Sequence, residues 1–485
     1  MTRVSLPPRI LTIVALALVM PSAEARAQNA APLAPAVTAA MDSIFLPMAH
    51  SGEPGCAVGI YQNGAVTFSR GYGFANLTHA VPITPTTRFT TGSVSKQFTA
   101  ASIALLVRAG RIALDDDVRK YIPEMTAYAT PVRVRHLVHH TSGLRDFWEL
   151  VGLSGLRFDD GYTNEDMLAM AARQRGLNFT PGAEYRYSNT GYLAMAIIVK
   201  RVTGQTLRQF ADSAIFAPLG MHESFFLDDH NEIVPDRATA YSPKGSGWQV
   251  NVWNNDIIGQ GGLVTTLADL QRWDENFYTG KVGGREFLEL MHTTEPLTSG
   301  AHNRYAFGLN VDTYRGQRVV EHSGSTGGYR AVLSRFPDQH TTFAMLCNRS
   351  TVNTTLLAQR MADVVLRGSL GPAVARAMPV GEESAAPRTG GAARPREGPA
   401  IVGRYASPEL GGAVWEVVAD SASGVLQLRR SRAPNAPLVP LEAALSYGAG
   451  DGVTLTFDAL ARGRAGGFRM DGNRVTNIRF ERVGT

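Results

Sequence analysis

Five lysines occur among the 485 residues of the chain (Lys96, Lys120, Lys200, Lys244 and Lys281), and only Lys96 follows a serine, Ser93, by three positions. The surrounding Thr91-Gly92-Ser93-Val94-Ser95-Lys96-Gln97-Phe98 opens an apolar segment that runs through Ile103-Ala104-Leu105-Leu106-Val107 to Gly110. Small or apolar residues on nearly every face predict a helix buried all round. Gly110 suits the left-handed residue that follows a helix end. Residues at i and i+3 share a face one turn apart. Ser93 is therefore expected at the helix N-terminus, where unpaired N–H groups and the dipole favour developing negative charge. Lys96 is expected one turn deeper. A serine hydroxyl becomes a nucleophile when a base takes its proton, and a lysine can be that base where burial disfavours the ammonium form. The plain alternative is an N-cap serine beside a lysine that snorkels to solvent. The apolar setting of Lys96 argues for the chemical reading.

Two further stretches could complete such a site. Pro181-Gly182-Ala183-Glu184-Tyr185-Arg186-Tyr187-Ser188-Asn189 carries Tyr187-x-Asn189, and Glu321-His322-Ser323-Gly324-Ser325 carries His322-x-Gly324. A tyrosine near a lysine cation can share its proton and relay it. A Gly-rich strand edge admits substrate backbone and presents N–H groups to it. The second stretch is expected just before a strand. Taken singly these motifs are short, and they recur at Tyr61-Gln62-Asn63, Tyr162-Thr163-Asn164 and His50-Ser51-Gly52. A core tyrosine and a turn histidine therefore stay open as readings of Tyr187 and His322. His136, His139 and His140 cluster without a matching carboxylate or cysteine set, so no metal site is assigned.

The elements that must position these residues follow from pattern and composition. A hydrophobic content of 44% with 18% charged residues reads as globular, and the length allows two or three domains. The net charge of +5 comes mostly from scattered arginines, which excludes a nucleic-acid footprint. Arg3 and Arg9, the apolar run Ile10 to Met20 and Ala25-Arg26-Ala27 read as a secretory signal over 1–27. The mature protein is thus expected in a periplasm or outside the cell, without a membrane span. Cys56-Ala57-Val58-Gly59-Ile60-Tyr61 and Ala65-Val66-Thr67-Phe68 flank Gln62-Asn63-Gly64, a hairpin signal. The middle of the chain reads as helical with long loops. Strand patterns return at 308–311, 330–334 and 342–346, and a last helix is expected over 351–367. Strands from the two ends bracketing a helical middle predict an α+β fold, one antiparallel sheet with helices packed on it. Such a sheet could bring Cys56 near Cys347, and an exported protein permits a disulfide there. The hydrolase-type region is expected over 28–370 and a Gly/Pro/Ala/Arg/Glu linker over 371–399. Short alternating segments over 400–485 predict a small all-β barrel or sandwich.

In this order, Ser93-x-x-Lys96, Tyr187-x-Asn189 and His322-x-Gly324 resemble the triple of the penicillin-recognising serine acyltransferases. The chain resembles the branch that holds class C β-lactamases, DD-peptidases, D-aminopeptidases and related esterases. His139-His140-Thr141-Ser142-Gly143-Leu144 and Gly261-Gly262-Leu263-Val264-Thr265-Thr266-Leu267-Ala268-Asp269-Leu270 also look like stretches of that family. The resemblance implies a β-lactamase/transpeptidase-like fold and a covalent acyl-enzyme on Ser93, with no metal or organic cofactor. It implies Lys96 and Tyr187 as base and proton relay, in an order that stays open, and Asn189 as an orienting group. The N–H groups of Ser93 and Ser325 would form the oxyanion hole beside His322 and Gly324, and His140 becomes a structural loop residue. His322 departs from the lysine of the β-lactamases, and a histidine is mostly neutral at pH 7. The resemblance therefore points to small esters or D-amino-acid-type peptides as substrates. A DD-carboxypeptidase or β-lactamase acting on peptidoglycan peptides or β-lactams is the alternative, and a silent scaffold of the same fold the rival from another class.

Overall fold

The structure, a computed structural model, describes residues 32–50, 52–372, 398–421, 423–450 and 452–484. The expected signal segment and most of the expected linker lie outside the described residues. Helix α1 spans Pro35–Phe45, and strands β1 (Cys56–Gln62) and β2 (Ala65–Tyr72) follow as a hairpin. Asn63 and Gly64 both take positive φ there, 51° and 79°, as a two-residue turn between twisted strands requires. The short strand β3 (Phe89–Thr90) leads through a 3₁₀ turn, Gly92–Ser95, into helix α2 (Lys96–Arg108). Helices α3 (Phe147–Leu153) and α4 (Asn189–Thr203) and strand β4 (Leu263–Thr265) belong to the mainly helical middle. Strands β5 (Asn310–Tyr314), β6 (Gln317–Thr326), β7 (Tyr329–Phe336) and β8 (Thr341–Cys347) precede helix α5 (Thr354–Val365).

The strands from both ends form one six-stranded antiparallel sheet in the order β5-β6-β7-β8-β1-β2. Both faces of β1 are covered, which explains its unbroken apolar run. Val58 and Ile60 pack with Met41 and Phe45 of α1 and Met361 of α5, whereas Ala57 and Tyr61 join the core that holds Val94 and Phe98. Cys56 stands opposite Cys347 in the β1–β8 register, and a disulfide joins them. No helix among the described residues is long and apolar enough to cross a membrane.

Two local expectations need correction. Ser93 does not open an α-helix. It sits in the 3₁₀ turn, and Lys96 is the first residue of α2 rather than a residue one turn inside it. Side chains at i and i+3 eclipse in a 3₁₀ turn, so Lys96 still lies directly over Ser93. His322 and Gly324 lie inside strand β6, not before a strand. The polar, glycine-containing run Glu321–Ser325 has weak intrinsic strand preference, and its place in the sheet comes from pairing with β5 and β7.

The last part of the chain is a nine-stranded antiparallel sheet, from Gly403–Ser407 to Ile478–Arg482. Its two edge strands, Ala436–Pro437 and Val439–Pro440, adjoin in sequence, so the sheet curls into a nearly closed barrel. Tyr405, Trp415, Phe457, Phe468 and Phe480 fill it. The barrel docks on the hydrolase fold through a buried ion pair, Arg145 Nη1 to Glu409 Oε1 at 2.6 Å. Arg145 also donates to the carbonyls of Thr476 (3.0 Å) and Asn477 (2.8 Å), and Trp415 Nε1 donates to Leu153 O (3.1 Å).

Candidate active site

The Ser93 turn is held from two sides. Strand β4 pairs with β3, and just beyond β3 Thr91 N donates to Leu263 O (2.9 Å) while Leu263 N donates to Ser95 Oγ (3.0 Å). Strand β6 closes the other side. A side-chain carbon at Gly324 would stand 1.9 Å from Thr91 O and 3.0 Å from Ser93 N, so only glycine fits this contact. One at Gly92 would stand 2.7 Å from Ser325 N, which puts the Ser93 turn and Ser325 backbone side by side.

Lys96 is wholly buried beneath the serine. Its Nζ lies 3.1 Å from Ser93 Oγ, 2.9 Å from Asn189 Oδ1 and 2.6 Å from Gln260 O. This set suits both charge states of the amine. The ammonium form donates one proton to each oxygen. The neutral form donates to the amide and carbonyl oxygens and turns its lone pair to the serine hydroxyl. The rings of Tyr187 and Tyr192 lie 4.8 and 5.4 Å from Nζ, within cation–π range.

Asn189 opens helix α4, and Asp146 fixes its amide. Asp146 Oδ2 accepts from Asn189 N (2.7 Å) and Nδ2 (2.9 Å), leaving Asn189 Oδ1 for Lys96. Asp146 Oδ1 meanwhile caps α3 by accepting from Trp148 N (3.0 Å). Tyr187 lies half-buried in the cleft wall. Desolvation pushes its hydroxyl well above the usual phenol range, opposed by the Ser93 hydroxyl and the charge of Arg474. The hydroxyl makes no hydrogen bond of good geometry among the described residues, though it stands near enough to Ser93 for that influence.

His322 is buried on β6 and held as one tautomer. Nδ1 lies 2.6 Å from Ser323 O, an acceptor only, so Nδ1 carries the proton. Nε2 then accepts from Tyr305 Oη at 2.8 Å. Desolvation, with Lys96 adding repulsion, lowers its pKa to about 3, so the ring is neutral. His140 holds a left-handed backbone (φ 57°), and its ring packs 4.2 Å from Tyr187 and 4.4 Å from Tyr305. Ser188 N donates to its Nδ1 (3.1 Å), and burial holds its pKa well below the usual imidazole range.

The structure thus brings together Ser93, Lys96, Tyr187, Asn189, His322, Gly324 and Ser325, the seven residues expected from sequence. Ser93, Tyr187, His322, Gly324 and Ser325 line one cleft of about 770 Å³. Four contributors were not anticipated: Asp146, Tyr305, the Gln260 carbonyl, and Arg474 of the barrel, which lines the same cleft. An N-capping Asp before Phe147-Trp148 could have marked Asp146; the other three leave no local signal.

The Beta-lactamase family model matches residues 37–366, more than half of the chain, and the chain belongs to this family of serine hydrolases. A D-aminopeptidase of Cereibacter sphaeroides is 28% identical over 327 residues, covering 66% of this chain and 60% of the relative. Penicillin-binding protein 4* of Bacillus subtilis is 28% identical over 310 residues, covering 59% and 66%. The match therefore spans less than two thirds of either relative. Among solved structures, an octameric penicillin-binding protein homologue from Pyrococcus abyssi aligns over 91% of this chain and 99% of its own, with TM-score 0.61 and 25% identity. The D-amino acid amidase of Ochrobactrum anthropi SV3 aligns over 68% and 99%, with TM-score 0.57 and 20% identity, a likeness of fold.

Proposed function

We propose that this protein is an exported serine hydrolase that forms an acyl-enzyme on Ser93 and cleaves ester or amide bonds of small esters or D-amino-acid-type peptides. The observation that carries the proposal is the buried Lys96 amine, 3.1 Å from Ser93 Oγ and oriented by Asn189 and Gln260. The neutral amine takes the Ser93 proton as Oγ attacks the carbonyl. The N–H groups of Ser93 and Ser325, on segments packed together where Gly92 meets Ser325 and Gly324 meets Ser93, receive the oxyanion. Tyr187, kept a phenol by burial, gives its proton to the departing nitrogen or oxygen and regains one from Lys96. Water then attacks the acyl-enzyme by the same proton route reversed. The likeness to D-aminopeptidases supports the substrate class. The signal-like N-terminus supports export, and so does a disulfide in a chain with two cysteines.

The test is a fluorophosphonate probe with intact-mass readout on wild type and Ser93→Ala, followed by hydrolysis of D-amino acid amides and aryl esters. One adduct on wild type, none on Ser93→Ala, and a loss of kcat of roughly 10³-fold or more are expected. Equal labelling or turnover in the variant refutes the assignment.

A further inference from the structure

The loop Asp471-Gly472-Asn473-Arg474 of the barrel reaches the catalytic cleft, and the hydrolase fold is shaped to hold it. Glu149, in α3, accepts from Asn473 N (3.0 Å) and Arg474 N (2.5 Å). The Arg474 carbonyl accepts from Asp146 N (3.3 Å) and Asn178 Nδ2 (2.8 Å). Both backbone polar groups of Arg474 are therefore fixed by the hydrolase fold. A side-chain carbon at Gly472 would stand 2.3 Å from Glu149 Oε1, so any larger residue there would have to displace the Glu149 carboxylate. The tether sets the side chain: the Arg474 guanidinium carbon lies 5.1 Å from the centre of the Tyr187 ring. Asp146 thus joins the two arrangements, holding Asn189 with its carboxylate and the barrel loop with its backbone.

The cleft lined by Ser93 and Arg474 also carries Arg186 and Arg330, and among the described residues no aspartate or glutamate lines it. Arg330 Nη1 donates to the carbonyls of Gly327 (3.0 Å) and Tyr329 (2.7 Å), and Arg186 pairs with Glu184 (3.4 Å). His322 adds no charge, because its hydrogen bonds hold the neutral tautomer. Guanidinium groups in the cleft wall raise the local positive potential, and arginine matches the planar carboxylate with two parallel N–H donors.

We infer that Arg474 is a specificity-determining residue that the barrel supplies to the hydrolase cleft, and that it selects acyl substrates bearing a carboxylate near the scissile bond. This rests on the acyl-enzyme reading of Ser93 and narrows its substrate class. The barrel then completes the binding surface for substrate.

The test uses the full chain and two matched pairs of activated thioesters. One pair has a carboxylate or its neutral carboxamide in the leaving thiol; the other has the same change in the acyl part. Wild type is expected to prefer the carboxylate member of at least one pair by roughly 10- to 100-fold in kcat/KM, the scale of a charge-assisted hydrogen bond. Arg474→Ala should abolish most of that preference by raising KM, with Ser93 labelling by fluorophosphonate and the thermal midpoint confirming an intact fold. Arg474→Lys should restore part of it. No carboxylate preference in either pair, or a preference that survives Arg474→Ala, overturns the inference. Absence of fluorophosphonate labelling on wild-type Ser93 would instead refute the acyl-enzyme reading beneath it.

Discussion

The floor and the rim of the cleft are built differently. The floor is Lys96, Asn189 and Asp146, all buried, with side-chain hydrogen bonds whose partners belong to the hydrolase fold. The rim includes Arg474, carried by a barrel loop that contributes no catalytic group and is tethered through Glu149. Their cations differ too. The floor uses a lysine, whose compact amine can trade a proton. The barrel region contains neither lysine nor histidine, so its cation is the arginine that cannot. On the proposed mechanism the difference teaches a division of work: proton transfer rests on contacts short in space within one core, and the selection inferred for Arg474 rests on the docking of a second fold.

The sharpest way to break this comparison is to empty the floor. Lys96→Met keeps the length and apolar stem of the side chain and removes the amine. A fall in kcat of roughly 10³- to 10⁴-fold is expected, with the thermal midpoint held or raised because a buried polar group is gone. Turnover within tenfold of wild type would remove Lys96 from the proton route and leave Tyr187 to carry it. Stopped-assay kcat beside a melting curve decides between them.

Next in size is the joint between the two folds. Arg145 and Glu409 are almost wholly buried, so Arg145→Ala leaves a buried carboxylate without its cation, an effect of about 3–5 kcal/mol. The expected outcome is early release of the barrel in urea, followed through Trp415, which packs against Phe480 within the barrel and donates to Leu153 O across the joint. Ser93 should still react with a fluorophosphonate in urea where the barrel has been released. Loss of both signals in one transition would show that floor and rim are a single cooperative unit.

What the sequence displays follows from distance along the chain. Ser93 and Lys96 declare themselves because the contact is three residues long, and it survives the replacement of an expected α-helix by a 3₁₀ turn. Tyr187 and Asn189 sit together at the start of α4, again a local pattern. The Asn63-Gly64 hairpin is legible for the same reason. The pattern around His322 does not read as a strand, because β6 owes its existence to β5 and β7 rather than to its own residues. Asp146 meets Asn189 across 43 positions and Arg474 meets Glu149 across 325. No spacing rule reaches that far, and a backbone acceptor such as Gln260 O has no residue type to betray it.

The smallest predicted effect separates rim from floor by titration. Burial raises the Glu149 carboxyl to about 7, opposed by its bonds from Arg474 and Asn473 and reinforced by the charge of Asp146. A carboxyl whose folded pKa lies above its unfolded value near 4.5 stabilises the fold fully below pH 4.5. That contribution is lost as pH rises through about 7. Histidines whose pKa burial lowers, fully for His322 and partly for His136, act in the opposite sense. His136, held at about 4, and His322, at about 3, contribute fully above pH 6.5, and their contribution falls away as pH drops toward those values. Glu149→Gln removes only the first of these trends. The difference in thermal midpoint, variant minus wild type, should therefore rise between pH 5 and pH 8 by about 2–4 °C, the histidine effects cancelling. A flat difference would mean that the ionised carboxylate is fully compensated by the loop N–H groups, and the rim would then be as indifferent to pH as a well-paired surface.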